Sequence, residues 1–185
     1  KNVHIKSNIN GENMSNVFSF SKLLNISENS FIKSINSFVG LPHRYEIFLK
    51  RKNVNFINDS KATSFQATKL ALQNTKNIFW IVGGLPKKND KIILKNLKTH
   101  IIKSYIIGKS TNFFKKQVKD KVNFYVAKSL KNAIVNILKD IKLFKKEKNI
   151  ILFSPAAASF DQFLNFERRG EEFKKLSKYY ARRYI

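Results

Sequence analysis

Between residues 45 and 153 the sequence alternates short apolar runs with amphipathic ones, and few folds accommodate that rhythm. The run at 78–82, Ile-Phe-Trp-Ile-Val, is apolar throughout. A strand of that kind has both faces buried, which happens mainly in parallel sheets covered by helices on both sides. Residues 101–107, 122–126 and 150–153 read as further strands, and 64–74, 91–98, 111–116 and 130–144 carry helical spacing. A last helix is expected from about Arg168 to Arg182. Residues 45–50 and 54–57, separated by Arg51-Lys52-Asn53, have instead the spacing of a β-hairpin. The expected class is α/β, with a Rossmann-like, mostly parallel sheet carrying an antiparallel hairpin at one side.

Ahead of this region lie two helix-like stretches. Met14, Val17, Phe18, Phe20, Leu23 and Leu24 mark the first, and Phe31, Ile32, Ile35, Phe38 and Val39 follow Ser27-Glu28 in the second. Gly40-Leu41-Pro42 then interrupts the pattern, since Gly and Pro together end helices. Two short helices cannot bury a core alone. Residues 1–39 are therefore expected to be the tail of an upstream domain, and 40–185 a domain of their own. The first residue is Lys1 instead of Met, which adds the expectation of a piece of a longer polypeptide.

Lys and Arg number 36 against 12 Asp and Glu, a net charge of +24 that attracts polyanions. Those lysines are scattered through almost every segment, amid abundant Asn, Ile and Phe. The four residue types share A/T-rich codons, so genome composition accounts for the excess without a function. A basic nucleic-acid-binding α/β module is the alternative reading. It predicts basic residues gathered on one face with aromatics set for stacking, and no specific nucleic acid is expected here. The chain has no Cys, which excludes disulfides and thiolate metal sites. No signal peptide and no apolar run of ~18 residues is present, so no membrane partner is expected. His4, His43 and His100 lack metal-ligand spacing, and no metal site is expected in this chain. No GxSxG nucleophile elbow occurs, and His43 reads as a turn residue.

Three strand-end turns are heavily loaded. Asn58-Asp59-Ser60-Lys61-Ala62-Thr63 crowds polar groups between a strand and a helix start, where free N–H groups favour an anion. Gly83-Gly84-Leu85-Pro86-Lys87-Lys88-Asn89-Asp90 opens with paired glycines that let the backbone approach a ligand closely, and lysine follows. Its spacing is not that of a Walker phosphate loop. The third turn, Ser154-Pro155-Ala156-Ala157-Ala158-Ser159, offers small residues and a hydroxyl. In open α/β sheets such turns lie at the carboxyl edge, where ligands bind.

Together with Gly40-Leu41-Pro42-His43-Arg44, Asp161-Gln162-Phe163 and Asn165-Phe166-Glu167-Arg168-Arg169-Gly170, these strings resemble the Mur ligase family, and within it the members that add D-glutamate. The resemblance runs in order over nearly the whole chain. It implies the Rossmann-like C-terminal domain of a three-domain cytoplasmic enzyme, attached to the last two helices of a central ATPase domain. The implied reaction is ATP-dependent amide formation through an acyl phosphate, with Mg2+ as cofactor. Its partners would be ATP, D-glutamate and UDP-N-acetylmuramoyl-L-alanine, with the enzyme a monomer.

The resemblance also assigns roles. Asn13 and Asn16 match adenine-side asparagines, although the family commonly has His where this chain has Glu12. Arg44 and Asp59 match groups that meet the nucleotide, and Lys61 would sit where nucleotide and substrate meet. Arg44 and Lys61 are the implied catalytic residues. Thr63 and Lys87 match the pair on the side-chain carboxylate of D-glutamate, with Lys88 an open alternative to Lys87. Ser159 and Phe166 match residues at the amino acid's other end. A lysine, hydroxyls and backbone N–H groups suit a dianion, and Gly40-Leu41-Pro42 suits a domain that swings shut. Having no ATP phosphate loop, the isolated chain is expected not to catalyse ligation.

Overall fold

The computed structural model describes residues 11–94, 96–144 and 147–185. His4 and the rest of 1–10 lie outside the described residues. Two compact units part between Leu41 and Pro42. The first holds α1 (Gly11–Leu23) and α2 (Glu28–Ser37). Ser27 starts α2 by accepting a hydrogen bond from the Ser30 amide, and the rings of Phe18 and Phe31 meet edge to face at 5.3 Å. No residue of α2 is buried, and Val17, Phe20 and Leu23 of α1 are exposed.

The second unit is a six-stranded sheet between two pairs of helices. Its elements are β1 (Glu46–Arg51), β2 (Val54–Asn58), α3 (Phe65–Gln73), β3 (Ile78–Gly83), β4 (Ile101–Ile107), α4 (Thr111–Val118), β5 (Phe124–Lys128), α5 (Leu130–Leu143), β6 (Asn149–Phe153) and α6 (Phe166–Tyr184). The strand order is β1-β2-β6-β3-β4-β5. Only β1 and β2 pair antiparallel; every other neighbouring pair is parallel. The expected mostly parallel sheet with a hairpin at one side is what the chain forms.

Period-two alternation divides the core. Ile78, Trp80 and Val82 pack with Phe65 and Leu72 of α3 and Phe114 and Val118 of α4. Phe79 and Ile81 pack on the other face with α5 and with Phe173 and Ala181 of α6. Burying each such side chain contributes about 1.5–3 kcal/mol, so the central strands carry most of the stabilisation.

Two expectations fail in detail. The described residues of 91–98 form no α-helix. Ile92 and Leu94 are buried while Ile93 between them is 71% exposed, the alternation of an extended chain. The Ile92 amide donates to Gln117 of α4, and the segment ends in a 3-10 turn at Lys98–His100. The expected strand at 122–126 forms two residues later. Val122 instead donates its amide to Val118 in the exit turn of α4, and its side chain joins the core there.

The chain runs outward from β3 through β4 to β5, then returns along α5 and inserts β6 between β2 and β3. The carboxyl ends of β2, β6 and β3 thereby become neighbours at a switch point of the sheet, the place where open α/β folds bind ligands.

Candidate functional site

All three loaded turns meet at this carboxyl edge. Asp59 leaves β2 with its amide on the Phe153 carbonyl of β6 at 2.8 Å. The residue is 8% exposed, and its carboxylate turns inward. Oδ1 accepts from the Tyr45 amide at 3.1 Å, and Oδ2 accepts from the Ser154 hydroxyl at 2.7 Å. Ser154 Oγ also lies 2.9 Å from Thr68 Oγ1 of α3. Burial pushes the Asp59 carboxyl up to about 7, against the opposing hydrogen bonds from Ser154 and Tyr45 and the charge of Arg44. The left-handed backbone of Tyr45 (φ 46°) is thus pinned from inside by a carboxylate.

The neighbouring residue of the same turn is gripped by α6. Arg169 is 1% exposed. Its Nε and Nη2 donate to the Ser60 hydroxyl and carbonyl at 3.1 and 2.8 Å, and Nη1 donates to the Ala157 carbonyl at 2.9 Å. One guanidinium therefore fastens the β2 exit to the β6 exit, where Ala156 holds the strained φ of 56°. Burial brings the Arg169 guanidinium down to about 10, partly offset by Asp161. Ser60 in turn donates to the Phe166 carbonyl at 2.8 Å, so the first turn of α6 is held as well.

Glycine makes the turn after β3 possible. Gly84 has φ 135°, and a Cβ there would stand 2.3 Å from the Ala158 carbonyl oxygen. Leu85 and Ala158 exchange both amide bonds at 2.9 Å, which binds the β3 exit to the β6 exit. Beyond them Asp90 accepts from the Phe65 amide at 2.9 Å and donates its own amide to the Lys87 carbonyl at 3.2 Å. The loop carrying Lys87 is thereby fixed to the helix start that follows Thr63.

The structure thus gathers Asp59, Lys61, Thr63, Lys87 and Ser159 onto three mutually bonded loops, with Arg44 in the turn before β1 and Phe166 at the start of α6 beside them. Lys61 is exposed and holds its ammonium 4.0 Å above the Phe166 ring, a cation–π contact. The Phe166 ring meets the ring of buried His43 edge to face at 6.2 Å, and the His43 carbonyl accepts the Lys61 amide at 3.1 Å. Arg44, Lys87 and Lys88 are exposed, and among the described residues neither lysine has an ion pair. Ser159 is buried, with its carbonyl accepting from Gln162 and Phe163. Asn13 and Asn16 lie exposed on α1 in the first unit.

Ser154 and Asp90 stand inside the loaded turns without a role of their own in the sequence, and Thr68 lies outside them. Arg169 stands inside the quoted Asn165–Gly170 string, and nothing local shows that its side chain turns inward. No group of His, Asp or Glu that could hold a metal occurs among the described residues. None of the described helices is long and apolar enough to cross a membrane.

Among solved structures, the fold is similar to MurF from Acinetobacter baumannii, with TM-score 0.65 and 13% identity, covering 93% of this chain and 38% of that one. It is also similar to MurF ligase from Thermotoga maritima in complex with ADP, with TM-score 0.57 and 14% identity over 90% of this chain and 37% of that one. No family model matches. Fold and sequence together place the chain in the Mur ligase family.

Within that class its relatives are particular. It is 41% identical over 90% of its length to the UDP-N-acetylmuramoylalanine–D-glutamate ligase of Wolbachia sp. subsp. Brugia malayi. Identity to the ligase of the same name from Rickettsia felis is 34% over 96%. The chain spans 33% and 39% of those relatives' own lengths.

Proposed function

We propose that this chain is the acceptor-amino-acid portion of an ATP-dependent ligase that joins D-glutamate to UDP-N-acetylmuramoyl-L-alanine. The supporting observation is the convergence of Lys61, Thr63, Lys87 and Ser159 on three tied loops at one sheet edge, in a chain whose relatives bear that ligase's name. Residues 40–185 form the D-glutamate-binding domain, and 1–39 belong to the central ATPase domain. The enzyme works in the cytoplasm as a monomer.

In this reading the acceptor carboxylate takes the terminal phosphoryl group of ATP and releases ADP. The unprotonated amine of D-glutamate attacks the acyl carbon, and the tetrahedral intermediate expels phosphate. Thr63 and Lys87 hold the side-chain carboxylate, and Ser159 with the Phe166 loop holds the other end. Two fixed ends orient the amine, and orientation supplies much of the rate gain. Arg44 and Asp59, with Asn13 and Asn16, hold the nucleotide. Arg44 is exposed at the edge, and each Asp59 oxygen keeps a lone pair beside its intramolecular bond. Lys61 lies between nucleotide and amino acid, and magnesium is held by the nucleotide and by residues outside this chain.

The test is an NMR titration of the labelled chain with D- and L-glutamate. Shifts at Thr63, Lys87, Ser159 and Phe166 with the D-isomer, lost in Lys87→Ala, are expected; equal response to both isomers at scattered sites would overturn the assignment. With all substrates supplied, the isolated chain is expected to release no ADP, and sustained release would refute that expectation.

A further inference from the structure

The sequence leads to the expectation of free amides for an anion at the start of α3. Two of its first three helical amides are instead taken inside the chain. The Ala67 amide donates to the Ser64 hydroxyl at 3.3 Å, and the Phe65 amide donates to Asp90 Oδ2 at 2.9 Å. The positive end of the helix attracts a carboxylate, and the carboxylate it holds is the chain's own. A substrate carboxylate arriving at this turn therefore depends more on side chains.

Asp90 works from its backbone as well. Its amide closes the turn Lys87-Lys88-Asn89-Asp90 on the Lys87 carbonyl at 3.2 Å, with Asn89 at φ 60°. Asn tolerates the left-handed position that such a turn requires. Upstream of the turn, Leu85 is bonded to Ala158 in both directions. Downstream, Ile92 and Leu94 are buried in the cluster that contains Phe65, and the Ile92 amide donates to Gln117 of α4. Lys87 is exposed between these anchors, on a turn that Asp90 closes.

The other side of the junction is equally fixed. Thr63 lies between Ala62, whose amide donates to the Asp59 carbonyl at 2.9 Å, and Ser64, which caps α3. Phe65, two positions after Thr63, is 3% exposed with its ring against Phe113 and Phe114 of α4. Asp90 thus ties the Lys87 turn to a residue anchored in the core. A lysine on a loop ordered beforehand loses less freedom when it meets a ligand.

We propose that Asp90 is a positioning residue. With its carboxylate on the start of α3 and its amide on the Lys87 turn, it holds Lys87 and Thr63 in a fixed relation to receive one carboxylate of the amino acid. The proposal rests on the reading of this edge as the D-glutamate site.

The test is an NMR titration of the labelled 185-residue chain with D-glutamate and, separately, with inorganic phosphate. The natural chain is compared with Asp90→Ala and Asp90→Asn. Both variants remove the same charge, but the Asn oxygen still accepts from the Phe65 amide. Asp90→Ala is expected to bind D-glutamate about tenfold more weakly, and Asp90→Asn within about threefold of the natural chain. Phosphate is expected to shift the Phe65 amide in Asp90→Ala and to leave it unmoved in the other two chains. A general loss of stability does not open one helix amide to an anion, so this signal separates positioning from a merely structural role. Equal weakening in both variants would make charge the cause and overturn the proposal. So would a Phe65 amide that responds to phosphate in the natural chain. D-glutamate binding that Asp90→Ala retains in full would overturn the proposal alone. No response to D-glutamate in the natural chain would overturn the reading of the site, and the proposal with it.

Discussion

At the carboxyl edge, Asp59, Ser60, Ser154 and Arg169 are buried and hydrogen-bonded to one another's loops. At the amino edge, Lys52, Lys76, Lys148, Arg182 and Arg183 stand in solvent on the ends of the same strands and helices. The first arrangement stores backbone strain, at Tyr45 and Ala156, and holds it with buried polar groups. The second imposes no internal constraint. Charge placed on both ends of one sheet therefore has two physical meanings. Buried, it determines how the loops lie; exposed, it determines only what the surface attracts.

The contrast is broken most directly at Arg169. Arg169→Ala leaves the Ser60 and Ala157 carbonyls without donors and opens a cavity. A loss on the order of 5 kcal/mol in urea unfolding is expected, and a loss under about 1 kcal/mol would show the edge to be built differently. Asp59 supplies the next effect. Its folded-state value near 7 lies above the ordinary carboxylate value of 3.8. Between those values the folded chain keeps a proton that the unfolded chain has lost. Stability should therefore fall as pH rises from about 4 to 7, by on the order of 3 kcal/mol, and change little above 7 from this group. Asn at this position keeps the bond to the Tyr45 amide without ionising, so a comparison of Asp59→Asn with the natural chain across that window isolates the slope. An identical pH profile for the two would refute it.

Gly84→Ala forces a Cβ against the Ala158 carbonyl at a positive φ. It should cost about 2 kcal/mol and disturb the amide signals of Leu85 and Ala158 first. The smallest effect belongs to the other end. Arg183→Gln and Lys76→Gln should each change the unfolding free energy measured in urea by no more than about 0.5 kcal/mol. A large loss from either would dissolve the contrast between the two edges.

Local pattern made much of this legible. The apolar run at 101–107 became β4 with the expected bounds, and the hairpin and α5 followed from alternation and helical spacing. The three loaded turns were visible because Gly, Asp, Ser and Lys stand where strands end. Residues 91–98 misled because Ile92, Ile93, Leu94 and Leu97 fit a helix about as well as an extended crossover, and Gln117, 25 residues away, decides for the latter. Val122 was misread for a similar reason, since the exit of α4 claims it before β5 begins.

By itself, then, the sequence determined which segments are strands buried on both faces, and where polar groups interrupt them, because those properties depend on residues a few positions apart. That β6 lies between β2 and β3 was decided only in the tertiary structure. So was the inward turn of Arg169 onto Ser60, 109 positions earlier, and the meeting of α5 and α6 tips at a basic rim. Strand order and side-chain burial are settled by contacts between distant segments, whose free energies appear only once the sheet has closed its loops.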